Sequence, residues 1–220
     1  MEAAQVNEQT SNVPRPRIQN LSDLIFGLAL SISALTLIGQ QATTIQQIYA
    51  SLALFVFSFL ILMSVWRLYS SITSVLPSET SFLTTLNIIL LLLVSVEPYL
   101  FNELFAQGSS LFNSVSSIYA FDLAAMFLII AFFQNSLASE EKQLVSTNLL
   151  ARYKLERNIS LTVGAIFIVS MAPVFEDITI LHYTISNIAY NVPLRVVLWI
   201  AALFLGWSRV LLRRRIKSQH

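Results

Sequence analysis

The sequence predicts an all-α integral membrane protein with six transmembrane helices and both termini on the cytoplasmic side. Three observations carry this reading. Hydrophobic residues make up 55% of the 220-residue chain and charged residues only 11%. An ordinary soluble domain carries about 25% charged residues, so this chain lacks the polar side chains to coat a water-soluble globule. Next, six segments are apolar over lengths near the roughly 20 residues that a membrane-crossing helix needs. Last, of the 13 lysines and arginines only Arg195 falls outside the segments assigned to the cytoplasm, as the positive-inside rule requires.

In order, the spans read as roughly 18–38, 48–69, 82–102, 113–137, 159–174 and 193–212. Pro14 and Pro16 precede the first, and residues 1–16 read as a flexible cytoplasmic tail. The second contains the run ASLALFVFSFLILMSVW. In the third, Pro98 follows Glu97 near the far end, where a missing N–H kinks or ends a helix. The polar stretch 138–158 reads as a cytoplasmic linker, with Leu144, Leu149, Leu150 and Leu155 spaced to give one apolar, partly interfacial face. The stretch 175–192 is the largest outer segment. The last span ends in the basic cluster Arg213–Lys217, which suits contact with anionic headgroups; residues 218–220 close the chain, and 17–217 form one transmembrane domain.

Several chemistries are excluded. With no cysteine there is no disulfide and no thiolate metal site. The two histidines, His182 and His220, cannot make a histidine-rich metal site. A net charge of +1 gives no general attraction to nucleic acid. No Ser/His/Asp set, metal motif or Gly-rich phosphate loop is present, so neither an enzyme nor a resident cofactor is expected. No span carries the spaced arginines of a voltage sensor.

Ionisable residues at membrane depth are costly and mark candidate functional positions. Asp23 lies about one turn into the first span, with Trp66 and Asn87 at a comparable cytoplasmic depth. An indole N–H and an amide can satisfy a buried carboxylate, so Arg17, Ser22, Asp23, Trp66 and Asn87 form a candidate polar cluster joining three helices. Beyond Asp23, Leu24, Leu28, Ser31, Ile32 and Leu35 fall within about 60° of Leu28 around the helix, while Asp23 lies about 140° away. Periodicity alone cannot tell a pore lining from a core or a lipid-facing stripe. Glu97 is placed at an accessible outer vestibule, and Asp122 in the outer half of the fourth span with no assigned partner.

Arg17-Ile-Gln-Asn-Leu21-Ser22-Asp23 resembles the R-x-x-x-F-S-D signature that opens the first helix of the endolysosomal potassium-channel family, which also has shorter prokaryotic members. Ser58-Phe59 with Trp66 resembles that family's second-helix pattern, and Leu86-Asn87 with the leucine run and Pro98 its third. The chain departs from the pattern at Leu21, in place of phenylalanine, and at Leu28, where isoleucine is usual. Tyr69 is the nearest residue to a histidine often found after the tryptophan.

The resemblance implies a homotetramer in the cell membrane around a central K⁺-permeable pore lined by the first helix of each subunit, with no T-V-G-Y-G filter. It implies a leak channel whose constriction is Leu28, Ile32 and Leu35, with Ser31 as the hydroxyl position. Arg17, Ser22, Asp23, Trp66 and Asn87 become the signature network. The partners are further copies of the chain, the bilayer and K⁺, with no metal beyond the permeant ion. A ring of Leu28 side chains would gate by dewetting. Two other classes compete: an ion- or proton-coupled transporter using Glu97 and Asp122, although no repeat relates residues 18–102 to 113–212, and a non-conducting scaffold tolerant of change at Leu28 and Ser31.

Overall fold

A computed structural model describes residues 17–39, 45–74, 81–105, 112–139, 147–185 and 188–217. Six long helices run α1 (Arg17–Gly39), α2 (Ile45–Thr73), α3 (Ser81–Phe105), α4 (Phe112–Ser139), α5 (Thr147–Ser170) and α7 (Leu194–Lys217). Each overlaps one predicted span. A four-residue helix α6 (Val174–Asp177) and an antiparallel hairpin of β1 (Thr179–Ile185) and β2 (Ile188–Pro193) separate α5 from α7. The helical class therefore holds with one addition, because the segment between α5 and α7 contains strands. Thr, Ile and Tyr are frequent in it and favour extended backbone. The hairpin register shifts by one residue between Thr179 and Leu181, and the Leu194 N–H donates to the Ile178 carbonyl at 2.8 Å, tying α7 to the chain before β1.

Among the described residues, three helices are apolar over a length sufficient to cross a bilayer: 51–73, 81–104 and 112–138. Among the described residues, 20–35 and 194–208 form shorter apolar helices. α5 differs from its predicted span because it starts inside the expected linker, at Thr147, so its first half is polar. Tyr153, Glu156 and Ile159 are buried, and Leu155 packs against the core. Leu144 and the side chain of Leu149 lie outside the described residues, as do the tail 1–16 and residues 218–220. Pro98 does not end α3, one of the two outcomes expected of it, since the helix runs through it to Phe105. A proline removes one backbone bond, and packing of Phe101 and Leu104 in the core holds the helix beyond it.

α4 sits at the centre. It packs most extensively on α5 and then on α3, while α1 packs on α2 and α3, and α7 on α5. The α4–α5 approach is close at Gly164, where a Cβ would come within 3.1 Å of Leu128 and 3.5 Å of the Ala124 carbonyl. Small residues are what permit such an approach between membrane helices. The core is apolar and aromatic, with Tyr119 edge-on to Trp199 and Phe127 stacked on Phe167.

Candidate functional site

The first helix divides cleanly into two faces. Ser22, Phe26, Ala29 and Ser33 are buried against the rest of the subunit. The opposite face is open: Leu24 is 69% exposed, Leu28 59%, Ile32 39% and Leu35 61%. Ser31 lies on this open face, and its hydroxyl donates to the Gly27 carbonyl at 2.8 Å. With its proton committed to the helix backbone, the Ser31 oxygen retains acceptor lone pairs. Leu28, Ser31, Ile32 and Leu35 thus share one exposed, mostly apolar stripe in the isolated subunit. An apolar face of this kind calls for a covering partner or lipid.

Below the stripe, two side-chain bonds fasten α1 to α2. The Trp66 indole N–H donates to Asp23 Oδ1 at 3.0 Å, and the Ser22 and Tyr69 hydroxyls are bonded at 2.7 Å. Asp23 with Trp66 is the predicted pair. Tyr69 is a partner that chemistry alone did not supply. The signal lay in spacing, since residues i and i+3 share a helix face, so Tyr69 accompanies Trp66 toward α1. Phe26 packs on the Tyr69 ring at a centroid distance of 5.8 Å and seals the pair from above. Asn87 is buried, but its Oδ1 has no hydrogen-bond partner among the described residues. The Arg17 side chain lies outside them.

Glu97 differs from its expected place. It is fully buried rather than at an accessible vestibule. Ser58 donates to both carboxylate oxygens, at 3.0 and 3.2 Å, and Tyr119 donates to Oε1 at 3.1 Å, so Glu97 joins α2, α3 and α4. Asp122, one turn further along α4 from Tyr119, is also buried and within Coulombic reach of Glu97; its Oδ2 has no partner among the described residues.

A third cluster went unforeseen. Arg195 is buried at the start of α7 and donates to the carbonyls of Ser170 at 2.8 Å, Met171 at 3.3 Å and Ala172 at 3.4 Å, and to the Ser116 hydroxyl. Trp199 Nε1 donates to the Ser170 hydroxyl at 2.9 Å. The end of α5 leaves carbonyls without helical partners, and a cation there also suits the helix dipole. Arg195 therefore caps α5 from α7. The basic residue that the charge pattern leaves outside the expected cytoplasmic segments is thus a buried one.

Residues 17–98 match the family model described as the endosomal/lysosomal potassium channel TMEM175. Two solved structures share the fold. One is the crystal structure of a lysosomal potassium-selective channel TMEM175 homolog from Chamaesiphon minutus, 17% identical, with a TM-score of 0.57 and coverage of 88% of this chain and 96% of the other. The other is the crystal structure of a point variant of the potassium channel MtTMEM175 in complex with a nanobody–MBP fusion protein, 15% identical, with a TM-score of 0.55 and full coverage of both chains. Among curated proteins, none matches.

Proposed function

We propose, from the match of residues 17–98 to the TMEM175 family model, that the chain is a subunit of a potassium-permeable membrane channel of the leak type. Six long helices cross the membrane, with both termini cytoplasmic, and four copies surround a central pore lined by α1. The observation that carries this reading is the open stripe of α1. The helix is anchored along one face while Leu28, Ile32 and Leu35 remain uncovered on the other. Symmetric packing of copies around these faces gives a closed ring of apolar side chains. Hydrophobic constrictions of this kind gate by dewetting. Ser31 lies one turn beyond Leu28, and its oxygen can replace part of the hydration that an ion loses at the ring. The Asp23–Trp66 and Ser22–Tyr69 bonds fix the angle at which α1 presents the stripe.

The test is ion flux from liposomes that contain the purified protein. K⁺ efflux exceeding Na⁺ efflux is expected. Leu28→Ala widens the ring and raises the K⁺ leak while lowering discrimination against Na⁺; because Leu28 is exposed in the subunit, thermal stability changes by less than about 0.5 kcal/mol. A monodisperse tetramer without flux, or a Leu28→Ala variant with unaltered flux, sinks the reading.

A further inference from the structure

A groove of about 320 Å³ opens between α2 and α7, lined by Val56, Phe57 and Leu60 from α2 and by Ile200, Phe204 and Trp207 from α7. Its volume falls in the range of roughly 300–1,000 Å³ usual for small-molecule sites. Its wall is apolar up to one end, where the Trp207 indole N–H donates to the Ser64 hydroxyl at 3.2 Å. Past that bond the chemistry changes sign. Arg67 lies seven residues beyond Leu60 on α2 and is exposed, and it forms no salt bridge among the described residues. Arg214 lies seven residues beyond Trp207 on α7, between Arg213 and Arg215. Seven residues are two helical turns, so Arg67 and Arg214 continue the two faces that line the groove, about 10 Å further along the helices.

We propose that this groove binds an anionic phospholipid, its acyl chain seated between α2 and α7 and its headgroup at the depth of Arg67 and of the basic end of α7. The dimensions agree: half the hydrocarbon thickness of a bilayer is about 15 Å. A headgroup at the level of Arg67 therefore sends its chain past Trp207 and into the groove. Trp207 fits the same geometry, with its ring against the chain and its N–H turned to a polar partner. A second copy of the chain is the weaker occupant. An anionic headgroup brings a negative charge to the level of Arg67, which forms no salt bridge among the described residues. The site rests on reading α2 and α7 as membrane-spanning, but not on whether the α1 stripe conducts ions.

The experiment uses Trp207 as reporter. Full-length protein is reconstituted in phosphatidylcholine vesicles containing a fixed fraction of phosphatidylglycerol or phosphatidylcholine brominated in mid-chain. The Trp207 share of the quenching is the difference between the wild type and Trp207→Phe. The expected result is stronger quenching by brominated phosphatidylglycerol. Arg67→Gln, and separately the triple variant R213Q/R214Q/R215Q, lower that preference; loss of one basic group near an anionic headgroup corresponds to roughly fivefold. Equal quenching by the two lipids overturns the proposal, and so does a preference that survives in both variants. Absence of Trp207-dependent quenching by either lipid overturns it as well, since the groove is then covered by protein. K⁺ efflux from the same vesicles is scored separately: lost flux with the preference intact counts against the channel reading alone.

Discussion

The polar contacts of α1 and those at the far end of the bundle are built from similar residue types but leave opposite surfaces. At α1, Asp23 and Ser22 bond to α2 through Trp66 and Tyr69, and the other side of the helix stays open. At the far end, Arg195 reaches three carbonyls and a hydroxyl, and Glu97 accepts from two side chains, with both residues wholly enclosed. The first arrangement holds one helix to its neighbours by a narrow strip, which suits a helix that must present a face to other subunits. The second ties α2, α3, α4, α5 and α7 together through polar groups enclosed between them. The moving and conducting parts of this subunit should therefore lie with α1, and the rigid scaffold with α4, α5 and α7.

Arg195→Ala is the most severe way to break that division. It removes the cap from α5 and leaves buried carbonyls and Ser116 without their donor. Hydrogen bonds from charged groups contribute about 1.5–3 kcal/mol each, and several are lost at once. The expected outcome is protein that aggregates on extraction or melts far below the wild type in fluorescence-detected size-exclusion chromatography. A variant that remains monodisperse with an unchanged melting temperature would show that the frame does not depend on this residue.

Asp23→Asn has a smaller effect and tests the other half of the comparison. The amide oxygen still accepts from Trp66, so one charge-assisted bond becomes a neutral one, a loss of about 1 kcal/mol. The subunit frame should survive while α1 loses its fixed angle. The expected outcome is a small fall in melting temperature with a larger fall in the tetramer fraction measured by light scattering. If subunit stability and assembly decline in proportion, α1 is as much a part of the frame as α4.

The difference between the two regions also explains what could be read from the sequence. The six long helices follow from apolar length, and the α1 stripe from helical period, because both are local properties. The Asp23–Trp66 pair was legible because a carboxylate and an indole at equal depth have few other solutions. Glu97 was not: its donors Ser58 and Tyr119 lie 39 and 22 residues away in the chain, and no local pattern brings three helices to one point. Arg195 reads in the sequence only as the exception to the positive-inside pattern, because the bare carbonyls at the end of α5 exist only after folding. The extent of α5 was missed for a related reason. A polar helical half packed on protein through Tyr153 and Glu156 looks, in sequence, like a solvated linker.

Asp122 marks the point where the two regions are closest in chemistry and gives the smallest expected change. It is buried like Glu97, yet its Oδ2 lacks a partner among the described residues and it lies within Coulombic reach of that second carboxylate. A buried carboxyl oxygen without a partner does not stabilise a fold, and replacing the carboxyl by an amide of similar shape is commonly neutral or favourable. Asp122→Asn should therefore leave the melting temperature unchanged or raise it slightly, by the equivalent of no more than about 1 kcal/mol. Because the substitution keeps the volume, packing around Tyr119 and Trp199 is undisturbed. A destabilisation approaching that of Arg195→Ala would mean that Asp122 is held by something outside the subunit, a bound cation or a neighbouring copy, and would move it from the frame to the functional part of the molecule.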